Sequence, residues 1–432
     1  MRKTLSVCFA FVALTFSGCK KDVVLNTESF IKVMSTTTPY IARDVVESPD
    51  GSFLLSAVQS IDNFNATVNP ASELPSLLNK YDQNGDVLWQ VQLPKTVHVL
   101  WHCLLMKNGN IVVVGFNDDN NSEYIGVVTL SQNGTILKQH SFFNSSRSLP
   151  SSYGDNSVDC MVLQNGNIAL AMAHSMGSNF PLVPRLVILD SELNKVFDKR
   201  YQPNAIISQQ DMYQIYVSED ISGNVLLNGR VDKSHNDTLE YQSFVLKLEA
   251  NSNSAIAYKL FDSNDRQTAP SNLAIQNANN AVWASSGPNE PDTLLNYWFN
   301  HRNQEKYLIG SSITLWQINS DLQTDKSETV QGYLKNGFVR RTIACSDGGF
   351  MMLGTCNINS NQLIPSDYRI LLIKVAADLS VEWLEMPVTN GPTIGADIKE
   401  TAHGYVISAT HVPFEEFSQP MVFKTDKKGK IR

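Results

Sequence analysis

A two-residue turn recurs along this chain at nearly constant spacing. It reads Asp50-Gly51, Asn108-Gly109, Asn165-Gly166, Ser222-Gly223, Asn279-Asn280, Asp347-Gly348 and His403-Gly404, and the intervals at its second residue are 58, 57, 57, 57, 68 and 56. Such a period overrides the two or three domains that 432 residues would otherwise suggest. Extended segments flank the turns, as in Ile111 to Gly115, Val225 to Gly229 and Phe350 to Gly354, which is the pattern of a tight β-hairpin. A second pair of β-rich runs lies farther along the repeat, for example Leu77 to Tyr81 and Val87 to Trp89 across Asn84-Gly85. Four strands per repeat, seven repeats and no helical pattern between them predict an all-β fold, a seven-bladed β-propeller with four-stranded antiparallel blades.

The last repeat stops at Ile431-Arg432, where its fourth strand should begin. Phe30 to Met34 is an orphan extended segment ahead of the first blade, at the distance from the next inner strand that other fourth strands keep. It is predicted to close the ring, pairing a sheet edge that would otherwise stay open.

The amino terminus carries a second signal. Arg2 and Lys3 precede an apolar run from Leu5 to Phe16, then Ser17, Gly18 and Cys19. A run of about a dozen residues suits a secretory signal and is short of the roughly 18 to 20 needed to span a bilayer. Phe16-Ser17-Gly18-Cys19 resembles the lipobox of bacterial lipoproteins, which implies residues 1–18 as signal peptide and acylated Cys19 as the first mature residue. Lys20-Lys21-Asp22 is similar to the segment following the cysteine in lipoproteins of Bacteroidetes-type bacteria. Residues 19–28 then form the lipidated tether and 29–432 the propeller, which implies a lipid-anchored outer-membrane protein, on the periplasmic side or the cell surface. At the level of the repeat, Ser346 to Gly354 followed by Ile370 to Val375 and Val381-Glu382-Trp383 resembles a widespread class of bacterial extracellular propeller repeats.

Net charge is −8, and removing Arg2 and Lys3 with the signal makes it −10, so nucleic acid is not an expected partner. Of six cysteines, Cys103, Cys160, Cys345 and Cys356 lie in the propeller, and their spacing matches no metal or redox motif.

Two sets of residues are candidates for binding. Seven positions before each marker turn stand Asp44, His102, Asp159, Tyr216, Leu273, Arg341 and Asp397, on the innermost strand. The next residues, Val45, Cys103, Cys160, Val217, Ala274, Thr342 and Ile398, are small and mostly apolar. Strand alternation sends one set to the channel and the other into blade packing, where Cys103 and Cys160 fill a core slot. The polar set can be a site, holding a divalent cation or supplying acid and base, or it can be a structural ion-pair network. The second set is the longest connection, Gly287 to Gly310 of blade five, with Tyr297, Trp298, His301 and Arg302. These could stack on a sugar or peptide, or fold back to cap a neighbouring blade.

No catalytic motif is present: there is no GxSxG elbow, HExxH helix, phosphate loop or dinucleotide fingerprint. The sequence therefore favours a binding or scaffold module for a glycan, peptide or envelope protein, using the face with the long loops and no cofactor. A propeller enzyme acting on polysaccharide at the channel mouth and a structural subunit of an outer-membrane complex stand as alternatives, and oligomeric state is left open.

Overall fold

The computed structural model describes residues 29–34, 36, 38–59, 76–119, 122–143, 158–175, 182–201, 212–232, 241–250, 254–261, 269–277, 280–287, 312–330, 337–357, 368–387, 389, 391–412 and 418–431. Seven antiparallel sheets follow one another around a common axis. Blade one comprises Tyr40–Glu47, Phe53–Gln59, Leu77–Tyr81 and Val87–Gln92, from the axis outward. Blade seven comprises Thr393–Glu400, Gly404–His411 and Gln419–Asp426, and its fourth strand is Phe30–Val33. Phe30 pairs with Lys424 and Val33 with Met421, so the amino-terminal strand closes the ring as the sequence predicts.

The core lies between blades rather than within them. Seven clusters of buried apolar residues occupy the seven seams. A second strand such as Ile111–Asp119 explains why: Ile111 and Val113 point into the seam with blade one, Val112 and Val114 into the seam with blade three. A period of two with both faces buried demands an unbroken apolar run, and Ile111-Val112-Val113-Val114 supplies it. Cys103 and Cys160 take their place in this packing as free, buried thiols; Cys345 and Cys356 are also free and buried.

The outer turns obey a packing rule across the seams. Gly85, Gly134 and Gly429 have φ of 80°, 84° and 73°, the left-handed region where a Cβ is penalised. Each also receives an aromatic ring from the preceding blade: an added Cβ would lie 3.0 Å from Phe30, 3.2 Å from Trp89 and 2.6 Å from Trp383 respectively. The equivalent turn residues of blades three, five and six are Leu193, Leu322 and Leu379, at φ of 61°, 59° and 66°. There the preceding blade offers Lys138, Ala257 or Lys326 instead of an aromatic. The leucine side chain, 2% exposed or less, fills the space.

Blade five departs from the single innermost strand that the repeat predicts. Ala269–Pro270 and Ala274–Asn277 are separate pieces, both paired with Asn280–Gly287. Proline has no N–H for the ladder, and the intervening Ser271 and Asn272 turn their side chains to blade six.

Candidate functional site at the channel axis

Innermost strands bring the predicted polar set together. In blades one, two, four, six and seven the pairing with the second strand slips at or just before the polar residue, between Ala42 and Val45, Leu100 and His102, Tyr213 and Tyr216, Val339 and Arg341, and Gly395 and Asp397. A bulge bends its strand and re-aims the next side chain. Here it places Asp44, His102, Arg341 and Asp397, with Asp159 of the unbulged strand Val158–Val162, within reach of one another.

Arg341 is the hub. Its Nε lies 3.3 Å from Asp397 Oδ1, Nη1 3.4 Å from Asp159 Oδ1 and Nη2 3.8 Å from Asp44 Oδ1. His102 is set between two carboxylates, Nδ1 at 2.8 Å from Asp44 Oδ2 and Nε2 at 3.6 Å from Asp159 Oδ1. Arg341 Nη2 approaches the same Nδ1 at 3.4 Å. Since a guanidinium only donates, the short contact assigns the Nδ1 proton to the bond with Asp44. The Arg341 side chain is 14% exposed and the other four are 10% or less.

The same carboxylates join neighbouring blades. Asp44 Oδ2 accepts the Cys103 N–H at 2.9 Å, Asp159 Oδ2 the Val217 N–H at 2.9 Å, and Asp397 Oδ2 the Val45 N–H at 3.3 Å. Lys399 adds an ion pair to Asp397 Oδ2 at 3.0 Å. Neutral amides do this at two other seams. Asn228 Oδ1 accepts the Leu273 N–H at 3.2 Å while its Nδ2 donates to Ser271 O at 2.9 Å. Asn272 exchanges two bonds of 2.9 Å with the Thr342 backbone, beside a 2.7 Å bond between the Ser271 and Thr342 hydroxyls.

Electrostatics follow from this arrangement. Burial would raise the Asp44 pKa, but the charge and hydrogen bond of His102, then Arg341 and Lys399, hold it well below the usual carboxylate range. Burial works against the Arg341 charge too, and Asp159, Asp397 and Asp44 overcome it, so the guanidinium stays protonated. Tyr216, 3% exposed, is pushed up to about 12 by burial. Burial, then Asp44 and Asp159 respectively, raises the Cys103 and Cys160 thiols well above the ordinary range, which removes them as nucleophiles at neutral pH.

Leu273, the one apolar member of the set, is buried in the seam between blades four and five. Tyr297, Trp298, His301 and Arg302, like Cys19, lie outside the described residues. Sequence reasoning missed Asn228, Ser271, Asn272 and Lys399. Asn228 had a signal: a lone amide within the apolar strand Val225–Asp232, where aligned repeats place Ser56 and Ser408. Those two serines accept the N–H of Asp44 and Asp397 at 2.9 and 3.0 Å. Among the described residues no group of three or more His, Cys, Asp or Glu side chains is placed to hold a metal ion, and the Arg341 guanidinium stands among the axial carboxylates as their cation.

No protein-family profile matches the chain, and no curated protein matches it. Solved structures do. An ulvan lyase described as a new family of polysaccharide lyase aligns over 92% of this chain and 97% of its own, at 7% identity and a TM-score of 0.58. The polysaccharide lyase Uly1 aligns over 89% and 90%, at 7% identity and a TM-score of 0.51. A Dyadobacter fermentans protein of unknown function aligns over 91% and 97%, at 13% identity and a TM-score of 0.46. The likeness to the lyases is one of fold.

Proposed function

We propose that the chain is a lipid-anchored envelope protein whose propeller binds a glycan on the face carrying the long connections. One observation carries this reading: the axial charges are engaged with one another and with backbone N–H groups across seams, so the axis serves ring closure and recognition falls to the loops. Likeness of fold to polysaccharide lyases supports a glycan as the ligand class. The closing strand supports the orientation. Phe30 pairs with Lys424, near the Asp426–Lys430 turn, so the chain joins the ring from the tight-turn face. Residues 19–28 reach at most roughly 35 Å, and acylation of Cys19 would turn the long connections away from the membrane. No helix of the described residues is long and apolar enough to cross a membrane.

The test is a glycan array with the mature chain carrying Cys19→Ser. Binding that weakens in Trp298→Ala or Arg302→Ala with an unchanged melting temperature is expected; unchanged affinity in both variants removes that loop from the site. In cells, Cys19→Ala should shift the protein from the membrane to the soluble fraction, and retention there would refute the anchor.

A second reading is an enzyme at the channel mouth, acting on polysaccharide. The observation favouring it is His102 between two carboxylates beside Arg341, an acid–base set. Turnover of a polysaccharide that disappears in His102→Ala would establish it; binding without turnover favours the first reading.

A further inference from the structure

The seven outer strands are the open edges of the seven sheets, and an open edge is a template for another strand unless charge or distortion blunts it. Six of them carry charge: Lys138, Lys199, Lys259, Lys326 and Glu382 in blades two to six, and Lys32 in the closing strand. The outer strand of blade one, Val87–Gln92, reads Val-Leu-Trp-Gln-Val-Gln and has none. It also holds two of the most exposed large apolar side chains among the described residues, Val87 at 60% and Leu88 at 55%. No strand of the described residues pairs with its outer side.

The hydrogen-bond register shows what this edge offers. The Leu93 N–H donates to Ser76 O at 2.9 Å, so Leu93, Val91 and Trp89 turn their backbone groups inward, to the neighbouring strand. Gln90 and Gln92 therefore direct theirs outward, and Leu88 sits at the bulge where the regular pairing ends. A second copy of the same strand, antiparallel and centred on Gln90, fits this pattern. Gln90 exchanges both N–H···O bonds with Gln90 of the second copy, Trp89 comes opposite its Val91, and Gln92 opposite its Leu88. Beyond either end of the ladder Asp86 of one copy nears Lys95 of the other, and both are exposed. No like charges meet along the pairing, which matters between copies of net charge −8.

We infer that this strand is a dimerisation edge, joining two copies of the chain about a two-fold axis at Gln90. Neighbouring strands of a sheet turn by roughly 20–25°, so the fourth strand lies roughly 60–75° from the first, which runs along the channel. The two-fold of an antiparallel pair follows the sheet normal, and at this rim the normal is close to the propeller axis. Both copies then present their tight-turn faces the same way, as two chains tethered to one membrane require. Pairing uses up both open edges, so the assembly closes at two. The inference stands on the strand itself and does not depend on the glycan reading.

The experiment is sedimentation velocity of the mature Cys19→Ser chain up to about 0.2 mM, alone and with Gln90→Lys or Gln90→Glu. Gln90 is exposed, so both variants should keep the parent's melting temperature. The parent is expected to form a dimer as its concentration rises. Each variant by itself sets like charges face to face across the two-fold and should weaken the dimer at least about tenfold. An equimolar mixture of the two variants should restore it, as a heterodimer. A parent that stays monomeric leaves the edge to a strand of another protein and overturns the inference, as does a dimer that survives both variants. A mixture that fails to recover overturns it as well, because Gln90 then does not face its own copy. Larger oligomers in place of a dimer would show open association and refute the closed pair.

Discussion

The two arcs of the channel solve one problem with different chemistry. Between blades seven and one, one and two, and three and four, a carboxylate accepts the neighbouring blade's N–H. Between blades four and five, and five and six, an asparagine amide does so. Joining blades therefore needs an acceptor and not a charge. The charged arc carries something extra: three buried anions that are tolerable only because Arg341 stands among them, with His102 and Lys399 beside it. The neutral arc needs no such hub, and its hydroxyl pair Ser271 and Thr342 closes locally.

The largest effect should come from removing the hub. Arg341→Leu leaves buried carboxylates without their cation and is expected to cost about 3–5 kcal/mol in urea unfolding. Asp397→Asn in the same chain should recover part of that loss, as a double-mutant cycle would show. A change under about 1 kcal/mol in Arg341→Leu would erase the distinction between the arcs.

Breaking the neutral arc should cost somewhat less. Asn228→Leu strips partners from the Leu273 N–H and the Ser271 carbonyl, an expected loss of about 3 kcal/mol. Unlike the Arg341 effect, it should be insensitive to Asp397→Asn.

Acid separates the arcs without a large mutation. The folded-state pKa of Asp44 is depressed, so its stabilising contribution is fully present above its ordinary 3.8 and is lost as pH falls below that value. Unfolding free energy should thus decline from about pH 5 to about pH 2, and less steeply in Asp44→Asn. Parallel curves for the two proteins would mean that Asp44 is not held by the hub.

The smallest effect lies at the rim, where the seams also differ. Leu379→Gly relieves a left-handed backbone worth about 1 kcal/mol but forfeits a buried leucine worth about 2 kcal/mol, a net loss near 1 kcal/mol. Adding Lys326→Trp should restore part of it by rebuilding the aromatic-on-glycine contact seen between Trp383 and Gly429; no recovery would show that the two kinds of seam do not interchange.

Blade number, strand order within blades and the closing strand were all legible in the chain, because hairpins are local. Asn108-Gly109 and Asp347-Gly348 announce their turns since glycine alone enters φ of 83° and 90° without penalty. The Asn-Gly and Asp-Gly signature passed over the leucine turns at 193, 322 and 379, since there burial outweighs backbone preference. The polar positions of the axis were legible as a column in the repeat, yet the column also contained Leu273 and did not name its amide counterparts. Asn228 and Asn272 lie outside that column, and their role appears only where one blade meets the next.

The period of the turns and the apolar runs between them determined, without further help, that seven sheets would form and that each would bury both faces. Which charges meet was decided only by closure of the ring. Asp159 and Arg341 stand 182 residues apart, His102 and Arg341 239, and Val45 and Asp397 352. No local propensity relates such positions; they become neighbours because seven innermost strands, five of them bulged at the polar position, converge on one axis, and there the low dielectric makes every unpaired charge too costly to leave alone.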